Sequence, residues 1–320
     1  MSVTTLEAGA AAHHAAAPVR VQRAALVMNA AAGTASRSDA DAIVARAQAA
    51  LDAEVQPFIG EGASLECAVR DAFASNPDVV LVMGGDGTAR AVAAHALKAE
   101  TPIIPLPGGT MNVLAKLAFG HGALDCAIED LRALQGGRLD VGYVGATPFF
   151  LSAAFGYAGL LAKLREAARP PRRVREIASA ASALVRGLGP SLRGGVKWRA
   201  ERGAWRKAHT LVVSLGAVER VLSPDAFAAK SCETLEAVSL RAAAALDIVR
   251  FGAHAAIANW RDFDRIERAC ADRILVDLTT SRPLIVLDGE PMRLSRIEDV
   301  RIARRALPIL APLRAQESAA

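Results

Sequence analysis

Three glycines surround one carboxylate at the point where a predicted strand is followed by a predicted helix. The run Val79–Met83 is continuously aliphatic, Gly84–Thr88 reads Gly-Gly-Asp-Gly-Thr, and an alanine-rich helical pattern follows. Glycines let a backbone approach a phosphate closely, and the N–H groups at a helix N-terminus bind anions. A carboxylate there favours a metal–nucleotide site, because Mg²⁺ is usually held by one or two carboxylates together with substrate phosphates. The alternative is a tight turn in which Asp86 caps its own helix.

A second glycine turn follows one strand–helix unit later. Pro105–Asn112 supplies two glycines, the hydroxyl of Thr110 and the amide of Asn112. In an open parallel sheet, ligands bind outside the carboxyl ends of the strands, where these turns lie. We therefore expect the two turns to hold one polyphosphate between them, and the pair is a much more specific indication than either turn alone.

Two carboxylates, Asp288 and Glu290, lie near the end of the sequence with only Gly289 between them. On a regular strand the two would share a face, and a glycine turn could also bring both to one cleft. An alcohol has a pKa far above 7, so its attack on a phosphate is assisted by a carboxylate that accepts its proton. The alternative for this motif alone is an ordinary hairpin turn.

Taken in order, these motifs resemble the diacylglycerol kinase catalytic family, which includes bacterial lipid kinases and sphingosine and ceramide kinases. The resemblance spans roughly Val21 to Pro312. It includes Val27–Thr34, which is similar to the family's first loop, usually Asn-Pro-x-Ser-Gly. Asn29 and Gly33 match that loop, whereas alanines replace its proline and serine.

The resemblance implies a site for ATP and Mg²⁺ and a role for each motif residue. Asp288 would be the general base that takes the proton from a lipid hydroxyl, with Glu290 as the second catalytic residue. Asp86 and Glu290 would help to hold Mg²⁺. The residues expected to line the ATP site are Asn29, Gly33, Gly84, Gly85, Asp86, Gly87, Thr88, Gly108, Gly109, Thr110 and Asn112.

The second half departs from the family's pattern in one place. Many bacterial members have an Asp-Gly after a Pro-x-Ala, linked to a structural metal site. Here Cys232 and Glu233 stand where that Asp-Gly is expected, within Ser223–Leu240. The resemblance therefore does not carry that structural metal site over to this chain.

Two kinds of secondary-structure pattern divide the chain. Strands alternate with helices in the first half, which predicts a parallel sheet covered on both faces. Ser64 is expected to cap a helix in this half that ends at Ala74. In the second half, Ile274, Val276 and Leu278 alternate with polar residues, as in a sheet with one buried face.

We therefore predict an α/β plus all-β protein. Its N-terminal part is an α/β nucleotide-binding domain with a parallel sheet, and its C-terminal part is a largely antiparallel, β-sandwich-like domain. The predicted limits are a disordered tail over 1–18, the nucleotide-binding domain over 19–140, with about 306–320 as its candidate completion, and a β-rich lipid-substrate domain over 141–305.

The charge pattern bears on the partners. The formal net charge is +5, which favours anionic partners. The basic segment Lys163–Arg175 is interpreted either as a solvated helical surface or as a face for anionic lipid headgroups. It lacks the aromatic residues that stack on bases, so we do not expect nucleic acid as a partner.

No uncharged stretch reaches the roughly 20 apolar residues that span a bilayer. We expect a cytoplasmic, peripherally membrane-associated protein whose substrate is a membrane lipid, and a homodimer is left open.

Three functions remain in comparison. The leading hypothesis is an ATP-dependent kinase that phosphorylates a hydroxyl of a lipid such as diacylglycerol or a sphingoid base. An NAD kinase shares the first glycine turn, but the second turn and the late Asp-Gly-Glu argue against it. A catalytically silent nucleotide- or lipid-binding protein is supported by the altered first loop and opposed by intact Asp86, Asp288 and Glu290.

Overall fold

The structure is a computed structural model that describes residues 19–31, 37–109, 111–156, 195–216, 234–241, 266–278, 284–294 and 299–312. Several sequence predictions fall on residues outside these ranges. They are the tail over 1–18, the site residues Gly33 and Thr110, the basic segment Lys163–Arg175, and most of Ser223–Leu240.

Helices and strands alternate through the first part of the chain, and strands alone follow in the other described ranges. The elements are β1 Arg23–Asn29, α1 Arg37–Leu51, β2 Glu54–Gly60, α2 Ala63–Ala74, β3 Val79–Gly84, α3 Asp86–Ala99, β4 Ile103–Pro107, α4 Val113–Phe119, α5 Leu124–Asp130, β5 Leu134–Val144, β6 Thr147–Phe149, β7 Ser152–Gly156, β8 Val196–Ala200, β9 Arg206–Ala208, β10 Thr210–Leu215, β11 Leu235–Leu240, β12 Ile266–Ala271, β13 Arg273–Leu278, β14 Leu284–Leu287, β15 Glu290–Arg293 and β16 Asp299–Pro312.

The first half forms the parallel part of a large mixed sheet. Its strands lie in the order β2-β1-β3-β4, with parallel pairing throughout. All residues of β3 and β4 are buried, as expected for parallel strands that are covered on both faces. The carboxyl ends of β1, β3 and β4 therefore meet at one edge, which is where the sequence places its first loop and both glycine turns.

Two long strands connect the halves of the chain. The strand β16 pairs in parallel with β4 through Ile309 and Ile103, and its other neighbours, β5 and β13, are antiparallel to it. The predicted limit at residue 140 falls inside β5, and the limit at residue 305 falls inside β16. Backbone hydrogen bonding along these two strands is thus shared between the parallel and antiparallel regions.

The second half packs as a sandwich. A six-stranded antiparallel sheet, in the order β12-β11-β10-β7-β14-β15, faces the antiparallel end of the first sheet, which contains β5, β6, β8, β9, β13 and β16. Large side chains from both sheets fill the space between them, among them the fully buried Phe149, Phe155 and Trp198. The predicted fold class is confirmed, with one correction: the first sheet is mixed rather than parallel, because β16 and its antiparallel neighbours extend it.

The predicted cap of α2 is wrong. The residue before this helix is Gly62 at a φ of 52°, so Ser64 is the second residue of the helix. The Ser64 hydroxyl instead accepts the N–H of Glu61 and donates to the Glu61 carbonyl. The local turn at Glu61 therefore uses the hydroxyl that the sequence analysis assigned to the helix end.

In the described parts of the chain, no helix combines the length and apolar character needed to cross a membrane.

A glycine in β5 tests the packing of the sandwich. Gly142 pairs with Phe149 on the neighbouring strand, and a Cβ atom at residue 142 would lie 2.1 Å from the ring of Phe149. Because that ring is fully buried, we expect Gly142→Ala to lower the free energy of unfolding by about 1–3 kcal/mol. Urea unfolding measures this change. The matched control is Gly203→Ala, whose Cβ would meet no atom closer than 3.5 Å. Equal effects of the two substitutions would contradict the packing argument.

Candidate active site

The two glycine turns lie in backbone contact at the carboxyl ends of β3 and β4. A Cβ atom on Gly108 would lie 2.6 Å from the backbone nitrogen of Gly84, and one on Gly109 would lie 2.7 Å from the Cα of Gly85. Any larger residue at 108 or 109 would separate the turns. The structure therefore brings together the two glycine turns that the sequence analysis assigned to one phosphate site.

Asp86 connects the turns instead of capping its own helix. The residue before α3 is Gly85, and no side chain caps that helix. The Oδ1 atom of Asp86 accepts the N–H of Val113, the first residue of α4, at 2.6 Å. The amide oxygen of Asn112, which lies at a φ of 50°, accepts the N–H of Gly109 at 2.7 Å. The alternative in which Asp86 caps α3 is therefore wrong, since its carboxylate bonds to the next helix.

The first loop joins the same cluster through Asn29. The Nδ2 atom of Asn29, at the end of β1, donates to the Oγ1 atom of Thr88 at 3.0 Å. Thr88 is buried, and a Cβ on Gly84 would lie 2.7 Å from its side chain. Asn29 and Thr88 therefore position each other.

The Asp-Gly of the late motif forms the turn of a hairpin between β14 and β15. Asp288 and Gly289 have φ values of 51° and 86°, as a type I′ turn requires, and Leu287 pairs with Glu290 across it. The backbone of this motif therefore forms the hairpin turn that was the alternative interpretation. Of the two arrangements considered for Asp288 and Glu290, the glycine turn is observed and the regular strand is not. Their side chains contact different partners.

The Asp288 carboxylate is only 4% exposed and contacts backbone on a neighbouring segment. It accepts the N–H groups of Phe150, Leu151 and Ser152, with the shortest contact 2.7 Å from Leu151. Burial raises the pKa of Asp288 to about 6, although these hydrogen bonds favour its charged form. No sequence pattern identifies these partners, since they act through the main chain.

Glu290 reaches back to the first glycine turn. Its Oε1 atom accepts the N–H of Gly87 at 3.1 Å, and its Oε2 atom accepts from Arg90 at 2.6 Å. Arg90 also donates to the Leu287 carbonyl at 3.2 Å. The sequence analysis missed Arg90, although a signal was present. It lies four residues after Asp86 on the same helix face and is the only Arg, Lys, Asp or Glu between Asp86 and Lys98.

Of the two carboxylates expected to hold a divalent cation, Asp86 suits that role better than Glu290. Burial raises the pKa of Asp86, and the nearby Glu290 charge raises it further. A cation beside Asp86 would offset both effects. Glu290 is already paired with Arg90, so it suits this role less well. In the ranges that the structure describes, no group of three or more His, Cys, Asp or Glu side chains could hold a metal. A Mg²⁺ ion here would therefore depend on substrate phosphates for its other ligands.

Comparison with known proteins gives one family match and close structural likeness. Residues 23–144 match the family model for the diacylglycerol kinase catalytic domain. A structure of a diacylglycerol kinase from Bacillus anthracis strain Sterne is 13% identical, with a TM-score of 0.61, and covers 93% of this chain and 99% of that one. A second structure from that organism, whose assignment to the same activity is provisional, is 16% identical with a TM-score of 0.66 and coverages of 92% and 99%. At these identities the likeness shows the shared fold.

The contact between the glycine turns predicts the effect of a single methyl group. We expect Gly108→Ala to lower the free energy of unfolding by about 1–3 kcal/mol, because its Cβ must displace the backbone of Gly84. The measurement is urea unfolding without ligand. The matched control is Gly85→Ser: no described atom lies within 4 Å of its Cβ position, and serine suits the residue before a helix. A destabilised control or an unaffected Gly108→Ala variant would contradict the prediction.

The buried carboxyl of Asp288 predicts a pH-dependent stability. Its pKa is raised from 3.8 to about 6, so the folded chain holds this proton where the unfolded chain releases it. Its contribution to stability is full below about pH 4 and is lost as the pH rises through 6. Relative to Asp288→Asn, which does not titrate, we expect the wild-type free energy of unfolding to fall by about 3 kcal/mol between pH 3 and 7. Urea unfolding of both proteins at each pH measures the difference. A constant or rising difference would refute the shift.

Proposed function

Because residues 23–144 match the model of the diacylglycerol kinase catalytic domain, we propose that the chain is a lipid kinase. In this proposal it transfers the γ-phosphate of ATP to a hydroxyl of a membrane lipid. Diacylglycerol and sphingoid bases are the substrate class that we propose. The observation that carries the proposal is the backbone contact between the two glycine turns, with Asp86 at their junction. In support of the proposal, glycine main chain and the partly buried carboxylate of Asp86 meet at the edge of the sheet where a metal-bound polyphosphate would bind.

We propose that the nucleotide phosphates bind along Gly84–Thr88 and the second turn. No described atom lies within 4 Å of the position where Gly85 would carry a side chain, so a phosphate can approach the main chain there. Gly85 also precedes α3, whose N-terminus favours negative charge. Asp86 would hold Mg²⁺, which would neutralise charge on the phosphates during transfer. Asn29 would support this site through Thr88.

The proposed proton acceptor is Asp288. A pKa of about 6 suits a group that must be ionised and still accept a proton near neutral pH. Three backbone N–H groups fix the carboxylate in one orientation. A carboxylate has about four acceptor positions, so capacity remains for the hydroxyl of a lipid. Glu290 would act from the opposite side of the turn, through its bond to Gly87.

The lipid substrate requires contact with a membrane, and we propose that this contact is peripheral and cytoplasmic. The basic segment Lys163–Arg175 remains the proposed surface for anionic headgroups, because each basic residue near such a surface contributes about 1 kcal/mol. Nucleic acid is not a proposed partner, and a homodimer stays a prediction.

The proposal predicts phosphate transfer from labelled ATP to one class of lipid in mixed micelles. The panel contains diacylglycerol, sphingoid base, ceramide and NAD, each with Mg²⁺ and with excess chelator. We expect one lipid to be labelled, no transfer after chelation, and a loss of at least about 10²-fold in Asp288→Ala, because general-base assistance contributes on this order. Asp288→Asn, which keeps the shape of the side chain, separates lost catalysis from lost folding.

Each other outcome favours a named alternative. Transfer to NAD alone would identify an NAD kinase. Binding of ATP without transfer to any acceptor would support a catalytically silent protein. Full activity in both Asp288 variants would remove Asp288 from the mechanism while leaving the lipid kinase in place.

A further inference from the structure

A single arginine contacts both sides of the turn that carries Asp288. Arg90 is 8% exposed although it bears a full charge. Its Nη1 atom donates to the Leu287 carbonyl at 3.2 Å, and its Nη2 atom donates to Glu290 at 2.6 Å. Leu287 and Glu290 are the paired residues that close this hairpin. The planar guanidinium therefore holds both strands of the hairpin where the turn begins and ends.

The same arginine is tied to the first glycine turn. Arg90 lies in the helix that begins at Asp86, and its partner Glu290 accepts the N–H of Gly87 through its other oxygen. A Cβ atom on Gly87 would lie 2.9 Å from a carboxylate oxygen of Glu290, so a larger residue at 87 would make the Glu290 side chain shift. Gly87, Glu290 and Arg90 thus form one connected set of contacts between segments about 200 residues apart.

We propose that Arg90 is a positioning residue for phosphoryl transfer, which sets the placement of the Asp288 hairpin relative to the Gly84–Thr88 turn. The inference rests on the proposed function, in which the turn binds the phosphates and the hairpin carries the proton acceptor. The reacting groups are then held by two different sheets. A misplacement of about 1 Å between such groups reduces a rate by about 10²-fold, so the contact that joins the sheets here controls the rate of the chemical step.

The geometry requires an arginine rather than any cation. Lysine carries one compact ammonium group and cannot donate along two parallel directions to Leu287 and Glu290 at once. The position also collects negative charge, since the carboxylates of Asp86, Asp288 and Glu290 all lie near the guanidinium. A neutral residue at 90 would leave Glu290 without its cation and Leu287 without its donor.

The test measures kcat and both KM values in variants at this position. In Arg90→Met we expect kcat to fall by about 30–100-fold, while the KM for ATP and for lipid each change by less than about threefold, because neither substrate is bound by Arg90. Arg90→Lys should recover part of kcat. The matched control is Arg138→Met. Arg138 donates to the carbonyls of Arg305 and Ala306 and to Glu100, a similar set of acceptors away from the site.

The outcomes separate positioning from general stability. The control should unfold more easily than the wild type and keep its kcat. A wild-type kcat in Arg90→Met would overturn the proposal, and so would equal losses of kcat in Arg90→Met and Arg138→Met. If the wild type phosphorylates no lipid, the proposed function fails, and hydrogen exchange of residues 284–294 decides the inference. Faster exchange in Arg90→Met, with wild-type exchange there in the control, supports it; unchanged exchange overturns it.

Discussion

The close approach of the two glycine turns is the constraint on which the rest of the site depends. Because no side chain separates Gly84 and Gly85 from Gly108 and Gly109, the chain segments that leave β3 and β4 remain in contact beyond the sheet. Only then does Asp86 come within hydrogen-bonding distance of the next helix. The first loop and the late hairpin both contact the Gly84–Thr88 turn. The first loop bonds to Thr88, and the hairpin bonds to Gly87. Three distant parts of the chain therefore rely on the absence of a few methyl groups.

Sequence patterns predicted helices, strands and their ends well, because these features depend mainly on residues that are close along the chain. The helix predicted to end at Ala74 does end there, and Gly120 ends α4 in the left-handed conformation that glycine adopts readily. The late motif shows where such patterns stop. Its Asp-Gly was predicted to be part of a catalytic site, with a hairpin turn as the alternative for the motif alone. The structure shows that the residues that form the turn also carry a buried carboxylate.

Contacts between segments that are distant along the chain could not be predicted from the sequence alone. Nothing in the type or spacing of Phe150, Leu151 and Ser152 indicates that their N–H groups bind Asp288, since every residue except proline has such a group. Asp86 was predicted to hold a metal–nucleotide complex, with capping of its own helix as the alternative, and neither interpretation included its hydrogen bond to Val113 in the next helix. Arg90 was the exception: its charge in an alanine-rich helix was visible, but its partners at 287 and 290 could not be deduced from spacing.

The pairing of β16 with β4 has a consequence for how the chain is made. A ribosome completes β4 almost 200 residues before it begins β16, the strand that covers the edge of β4. Until then the nascent parallel sheet has an unpaired edge and an incomplete apolar core, since Leu307, Ile309 and Leu310 of β16 belong to that core. Open strand edges and exposed apolar surface promote association between chains. Between the synthesis of β4 and the insertion of β16, the nascent chain is therefore most exposed to association with other chains. Chaperone protection is most needed during this interval.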